Sequence, residues 1–137
     1  MRYIVFLFAT VALLATLSVS ARQKHRKNRR PEELPYPRVW IGNIHTYFTS
    51  RDSILAHPLL NTDSVGCRVS GFTVSLQAPG HPFFGPLYST TWEMTEVQKS
   101  KIREWDYKDV TVFIQDIHLN CHEKDAVANP FSVKYGQ

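Results

Sequence analysis

Alternating apolar and polar residues predict β-strands in the part of the chain beyond residue 37. Residues 68–77 end with Phe72, Val74 and Leu76 on one face and polar residues on the other, which is typical of a half-buried strand. Similar patterns predict four further strands, at residues 39–42, 83–89 (interrupted at Gly85-Pro86), 110–119 and 131–135.

The strongest strand signal, in residues 110–119, changes phase in its middle. Its apolar side chains fall into two sets, which are Val110, Val112 and Ile114, and then Ile117 and Leu119. Strict alternation would place these two sets on opposite faces of the sheet. One extra residue, a β-bulge, would bring all five back to one face, so we predict a bulge near Gln115-Asp116.

Capping signals predict two short helices. Ser50 is suited to cap a helix of one or two turns that ends before Pro58. Thr95 and Gln98 have the spacing of a capping box for a second helix, from Glu96 to about Trp105. The apolar stripe predicted for this second helix consists of Val97, Ile102 and Trp105.

The predicted order of elements is β, α, β, β, α, β, β, with a loop at 61–66 and a turn at 122–125. Most joins are short, which favours antiparallel pairing. Two helices are too few to cover both faces of a doubly wound parallel sheet. We therefore predict an α+β, mostly β fold in residues 38–137, a small antiparallel Ig-like or β-sandwich-type domain with one or two short helices.

The first 21 residues have the pattern of a signal peptide. Arg2 gives a positive start, residues 4–17 are mostly apolar, and small residues precede a cleavage site after Ala21. The alternative is an uncleaved anchor, because residues 3–21 carry no charge over nearly the length of a membrane span. We expect an exported protein, either periplasmic or outer-membrane-associated, with an extracellular location as the alternative.

Residues 22–37 are predicted to form a linker that is first basic and then proline-rich. Beyond residue 30, nine basic residues face all 12 acidic ones, so the body has no positive excess for nucleic acid. The basic tail consists of Arg22, Lys24, Arg26, Lys27, Arg29 and Arg30.

Three interpretations of the basic tail are open. The first is a solvated linker. The second is a segment that makes a weak contact with an anionic membrane surface or with an acidic partner. The third is a processing site at the dibasic Arg29-Arg30. Processing would make the protein a small secreted factor with a basic propeptide. Pro31 argues against simple cleavage, because a proline after the scissile bond hinders most proteases.

The two cysteines, Cys67 and Cys121, both lie in the part predicted to be exported, where a disulfide is the default. Free thiols and a metal site are the alternatives. A small Cys/His metal-binding domain would use His118, Cys121 and His122, with Cys67 and His81 elsewhere in the sequence. The spacing His-x2-Cys-His matches none of the usual zinc patterns, so we predict a Cys67–Cys121 disulfide and no metal.

The sequence contains no recognisable catalytic or cofactor-binding motif. Ser70 lacks the leading glycine of a nucleophile elbow, and no glycine-rich loop precedes a helix. Asp106, Asp109 and Asp116 are explained as charges around a strand, and Trp92 as a packing residue. We therefore predict a protein that is not an enzyme and that holds no cofactor.

The order of the motifs resembles one known domain, the C-terminal domain of the gliding-motility protein GldM, over residues 38–135. The similarity has four parts, which are Cys67–Ser75 with "V-x-S-F-x-V", Met94-Thr95 and Ile102 with "L-T-…-I", Val110–Ile117 with "V-x-F-x-x-I", and Pro130–Val133 with "P-I-x-F-x-V". Two segments depart from the family, Tyr107–Asp109 and His122–Asp125, where glycine turns are usual.

The resemblance implies a non-enzymatic protein-interaction module of the bacterial cell envelope, linked to gliding motility or type IX secretion. Its partners would be envelope proteins, and the corresponding GldM domain is a dimer, which suggests a homodimer here. No binding residue transfers, because none of the motifs marks one. The membrane-motor coupling of GldM does not transfer either, since this sequence resembles its last domain alone.

Overall fold

The computed structural model describes residues 36–136. The predicted signal peptide (1–21), the six residues of the basic tail and the linker as far as residue 35 lie outside the described residues. Neither helix within residues 36–136 has both the length and the apolar character that crossing a bilayer demands.

The described residues form eight strands and two short helices, so the predicted α+β, mostly β fold class is confirmed. The strands are β1 (Val39–Ile41), β2 (Phe48–Thr49), β3 (Leu60–Thr62), β4 (Cys67–Gln77), β5 (Phe84–Ser89), β6 (Val110–Cys121), β7 (Lys124–Ala128) and β8 (Phe131–Tyr135). The helices are α1 (Arg51–Ala56) and α2 (Glu96–Glu104).

The strands form two sheets that share one apolar core. The large sheet has six strands in the order β2-β8-β6-β4-β5, and β7 pairs with the second half of β6. The small sheet is the antiparallel pair of β1 and β3. Neighbours in the large sheet are antiparallel, apart from the two-residue parallel pairing of β2 with β8. Ile41 and Leu60 from the small sheet and Ile54 and Ile102 from the helices are all buried in the core.

The bulge predicted in β6 is confirmed. Thr73 pairs with Gln115 but Gly71 pairs with His118, so β6 has one extra residue between these two pairs. Asp116 accommodates the extra residue with a φ of +48°. The five apolar side chains of the strand are consequently all buried: Val110, Val112, Ile114, Ile117 and Leu119.

A second irregularity in β4 lies beside the first. Val69 pairs with Leu119 while Gly71 pairs with the adjacent His118, which makes Ser70 the extra residue of β4. Ser70 changes the phase of the strand, so Val69 is buried on the same side as the later apolar residues of β4. The two strands therefore bulge close to each other.

The prediction that β4 is half-buried is wrong for its middle, because residues 71–76 are all buried. Thr73 and Ser75 lie on the face that was predicted to be solvent-exposed, but they are only 2% and 1% exposed. β4 is an inner strand, and Gly85 lets the backbone of β5 approach it closely. A Cβ atom at Gly85 would lie 2.8 Å from the hydroxyl oxygen of Ser75.

Three short strands were not predicted. The segment 61–66 was expected to be a loop, but Asn61 and Thr62 belong to β3, which pairs with β1. The expected turn at 122–125 is shorter than predicted, because β7 begins at Lys124. The third, β2, has only two residues and pairs with the end of β8.

The capping box of α2 is confirmed, but its predicted apolar stripe is partly wrong. Val97 is 59% exposed, whereas Gln98 is completely buried. Gln98 is buried at little cost because its side chain is hydrogen-bonded at both ends. Its Oε1 accepts from the Thr95 amide at 2.9 Å, and its Nε2 donates to the Leu87 carbonyl at 2.8 Å. The side chain thus joins α2 to β5.

Tyr135 fixes the other end of α2 to the large sheet. Its hydroxyl lies 3.1 Å from the carbonyl oxygen of Ile102 and 2.9 Å from that of Trp105, and it donates to this pair of acceptors. The residue is only 4% exposed. These carbonyls belong to the last turn of the helix, where the helix itself supplies no donor.

We expect Tyr135→Phe to lower the free energy of unfolding by about 1–2 kcal/mol, because buried carbonyls lose their donor. Burial raises the pKa of Tyr135 to about 12, whereas an unfolded tyrosine ionises near about 10. The contribution of this group is therefore complete below pH 10 and is lost as the pH rises from about 10 to 12. Urea unfolding of both proteins across this range is the test. A difference that does not shrink above pH 10 would contradict the role of burial.

Candidate interaction surfaces

Cys67 and Cys121 form the predicted disulfide. They occupy directly paired positions on β4 and β6, with their Cα atoms 4.0 Å apart. The sulfur of Cys121 is therefore not available as a metal-binding thiolate. Within residues 36–136, no three His, Cys, Asp or Glu side chains are grouped to hold a metal ion. A disulfide is compatible with an oxidising, exported compartment.

The histidines considered for the alternative metal site lie in different parts of the domain. His118 lies in β6 between buried Ile117 and Leu119, so its side chain is on the face of the large sheet opposite to the core. His122 lies in the turn after β6, and its ring covers Gly66. His81 stacks on the ring of Tyr107, with ring centroids 3.8 Å apart.

The face of the large sheet opposite to the core, called the open face here, carries exposed aromatic side chains. Tyr88 is 70% exposed, Phe48 66% and Phe83 54%. Phe113 alternates with buried Val112 and Ile114 and therefore also lies on this face. The side chains that define the open face are Phe48, Phe83, Tyr88, Phe113, Gln115, His118 and Lys134.

The aromatic residues of the open face come from three strands and from the residue before β5, with Phe48 on β2 and Tyr88 on β5 at opposite edges of the sheet. The ring of Phe83 lies 6.0 Å from that of Phe113, measured between centroids. Lys134 pairs with Phe48, and its ammonium lies 5.8 Å from the centre of the Phe48 ring. The same ammonium is 3.2 Å from the Asp109 carboxylate. These contacts restrict the rings and so reduce the entropy that binding would cost.

The two bulges lie beside a concavity in the open face, called the bulge pocket here, whose lining mixes polar and apolar groups. It has a volume of about 420 Å³. The Thr73 hydroxyl donates to Oδ2 of Asp116 at 3.1 Å, which orients the carboxylate. The lining residues are Ser70, Gly71, Phe72, Thr73, Tyr88, Ser89, Thr90, Asp116 and His118.

The bulge pocket brings together three residues that the sequence gave no reason to group, Ser70, Asp116 and His118. Ser70 lies in β4, whereas Asp116 and His118 lie two residues apart in β6, and the extra residues of the two strands lie where all three surround one concavity. The carboxylate of Asp116 is hydrogen-bonded to Thr73, not to the imidazole of His118. It therefore does not orient the histidine in the way that a catalytic triad requires.

The ion pairs of α2 explain the shifted carboxylates of the described residues. The Lys99 ammonium holds the pKa of Glu96 below its usual value, and Glu96 in turn raises the pKa of Lys99. Lys101 likewise lowers the pKa of Glu104. These are pairs on the surface of the helix, and pairs of this kind contribute little to stability. They provide no sign of acid–base chemistry.

A scan against protein-family models and a search of curated proteins find no match for this chain. The resemblance to the GldM domain is therefore carried by the four motifs alone. These motifs fall on β4, on α2 and the residues before it, on β6, and on β8 with its preceding proline.

Proposed function

We propose that the protein is a non-enzymatic, exported protein-interaction module of the cell envelope that binds a partner protein through its open face. The observation that carries the proposal is the exposure of Phe48, Phe83 and Tyr88 on one face of one sheet. Aromatic residues are enriched among the residues that dominate binding energy at protein interfaces.

The mixed chemistry of the open face supports a protein partner. The bulge pocket offers a carboxylate, an imidazole and several hydroxyls beside Tyr88. An aromatic surface with a depression of mixed polarity can hold an apolar anchor and hydrogen-bond the polar groups around it. The orientation of Asp116 towards Thr73 supports a binding role in preference to catalysis.

The finer parts of the proposal depend on the motif resemblance. A link to gliding motility or type IX secretion, a periplasmic or outer-membrane-associated location and a homodimer all follow from it. The disulfide supports only the general statement that the domain functions in an oxidising compartment.

A photo-crosslinking amino acid placed at Tyr88 should form a discrete covalent adduct with a partner in cells of the native source. The same amino acid at Val97, which is 59% exposed and lies on helix α2 outside the open face, is the matched control and should form none. Excess unlabelled protein should abolish the adduct. The Phe48→Ser/Tyr88→Ser variant should compete at least about thirty-fold less well, the loss expected for one interface hot spot.

Equal adducts from Tyr88 and Val97 would contradict the proposal, because they would report random collisions. An adduct that the Phe48→Ser/Tyr88→Ser variant suppresses as well as the wild-type protein would also contradict it. Circular dichroism of the variant establishes that it is folded, since both substituted side chains are exposed and add nothing to the core.

A further inference from the structure

β7 is a strand whose outer edge is unpaired within residues 36–136. Among the described strands, it pairs with β6 alone. The two-residue turn between them, His122 and Glu123, has φ values of +49° and +66°, as a type I′ hairpin turn requires. In such a hairpin the residues on either side of the turn, Cys121 and Lys124, exchange hydrogen bonds with each other.

This register fixes which backbone groups of β7 point outwards. The amide and carbonyl groups of Lys124 face β6, so those of Asp125 and Val127 face away from it. No hydrogen bond from these two outward-facing residues is present within the described part of the chain. Val127 is also 54% exposed. The outer edge therefore offers two donors and two acceptors in strand geometry.

The first half of β8 continues this edge. The Lys134 amide donates to the Tyr47 carbonyl at 2.6 Å, so the backbone groups of Lys134 face away from β6. Those of Ser132, two residues earlier in the same strand, face the same way. β2 covers only the end of β8, at Lys134 and Tyr135, and leaves Ser132 uncovered. We call Asp125, Val127 and Ser132 together the β7–β8 edge.

An aromatic groove of about 490 Å³ lies beside Ser132. One wall is the start of β8 with Asn129 and Pro130, and the other consists of residues 36–40 and 44–47. Arg38 carries the only full charge among the lining residues, none of which is a carboxylate. The rings that line the groove belong to Tyr36, Trp40, His45, Tyr47 and Phe131.

We propose that the β7–β8 edge binds an extended segment of a partner protein as an additional strand of the large sheet. The main chain of the segment pairs with Asp125, Val127 and Ser132. An apolar or aromatic side chain of the segment occupies the aromatic groove, and an acidic residue beside it pairs with Arg38. Strand addition of this kind derives affinity from main-chain hydrogen bonds and specificity from side-chain pockets. The inference rests on the proposed function only in requiring a polypeptide partner.

Charge excludes the most obvious alternative occupant. The basic tail of the chain itself carries six positive charges between residues 22 and 30. In the groove its side chains would meet Arg38, and no carboxylate of the groove lining would offset this repulsion, since Asp125 of the edge is not part of that lining. A second copy is the remaining alternative. Antiparallel self-pairing of β7 centred on Ala126 would place Asp125 opposite Val127 of the second copy. Sedimentation distinguishes such a dimer from a complex with a partner segment.

A phage library of ten-residue peptides, selected on the full disulfide-bonded protein, is the probe for this edge. We expect selected peptides with an apolar or aromatic residue next to an acidic one. In the complex with a synthetic selected peptide, hydrogen exchange should slow at the amides of Asp125, Val127 and Ser132. Ala126, whose amide faces β6, should change little and serves as the internal control.

N-methylation of the peptide tests strand pairing on the wild-type protein. Alternate amides of a bound strand face the edge, and the others face away from it. Methylation of the first set should therefore weaken binding at least tenfold, and methylation of the second set should have little effect. Val127→Pro should also weaken binding at least tenfold, since proline is tolerated at an outward-facing edge position but cannot donate. Val127→Thr, which keeps the amide, should bind within about threefold of the wild type.

Several results would overturn the inference. They are failure to select any peptide, protection of amides outside the edge, and equal sensitivity to N-methylation of the two sets of amides. Sedimentation that shows a dimer with the Val127 amide already protected would assign the edge to a second copy, and would also overturn it. The crosslink from Tyr88 reports the open face separately, so failure of either proposal can be recognised without the other.

Discussion

Deletion of Asp116 should unfold the domain under native conditions. Asp116 is the extra residue of the β6 bulge, and without it the pairing continues in strict alternation. Ile117 and Leu119, now 1% and 0% exposed, would then point to the open face, because a slip of one residue reverses every side chain beyond it. Burial of each such side chain is worth roughly 1.5–3 kcal/mol. The combined loss of about 3–6 kcal/mol reaches the lower end of the total stability of a small domain, about 5–15 kcal/mol, and the reversed side chain of Cys121 would also be unable to form the disulfide.

The matched control for the deletion is Asp116→Gly. Glycine adopts the φ of +48° found at this position without strain, so the bulge and the register are kept. This variant loses the hydrogen bond from Thr73, and we expect a cost of about 1 kcal/mol. Urea unfolding followed by circular dichroism compares the two variants. A deletion variant that unfolds within about 1 kcal/mol of the glycine variant would show that another bulge replaces the lost one.

The bulge was predictable because its cause is local. Five apolar residues in two phases within one short segment leave few other ways to bury all of them on one side of a strand. The capping box of α2 was predictable for the same reason, since Thr95 and Gln98 interact with the backbone of their own helix. Predictions of this kind depend on neighbours in sequence, and these were confirmed.

The errors occur where burial depends on distant parts of the chain. Nothing in the sequence of β4 indicates that Gly85 will allow β5 close enough to cover Ser75. The burial of Gln98 requires the Leu87 carbonyl, which lies in another element. β7 was missed because an edge strand with one neighbour needs little apolar surface, and its residues are mostly charged or small.

The candidate functional features also include one that the sequence predicted and one that it did not. The disulfide was predictable from the signal-like segment and from the presence of two cysteines, because each cysteine has only one other cysteine with which it can pair. The open face was not predictable, since Phe48, Phe83 and Tyr88 become one surface only through the pairing of distant strands. Sequence alternation identifies two faces of a strand, but it does not determine which of them another layer will cover.

Removal of the disulfide should be the most destabilising substitution that leaves the apolar core unchanged. We expect Cys67→Ser/Cys121→Ser to lower the free energy of unfolding by about 4 kcal/mol, since the bond closes a loop with a sequence separation of 54. For a domain of this size each kcal/mol corresponds to about 4–8 °C in melting temperature. Thermal and urea unfolding of the oxidised protein and of the variant measure the difference.

Reduction of the wild-type protein is the control that separates the bond from the serine substitutions. The reduced wild type and the variant should unfold alike, and reductant should leave the variant unchanged. If the variant is nearly as stable as the oxidised protein, the loop is already restricted in the unfolded chain. Loop closure by the disulfide then does not stabilise the domain as expected.

The position of the disulfide predicts where the loss of stability appears first. The bond joins the outer ends of β4 and β6, immediately before the turn into β7. Without it, amide exchange should accelerate near Val69 and Leu119, while Val74 in the middle of the sheet should stay protected until the domain unfolds as a whole. Of the strands that the structure describes, only β6 pairs with β7, so loosening this end should also weaken peptide binding at the β7–β8 edge. Uniform acceleration across β4 and β6 would show that the bond stabilises the sheet as a whole and does not act on this end.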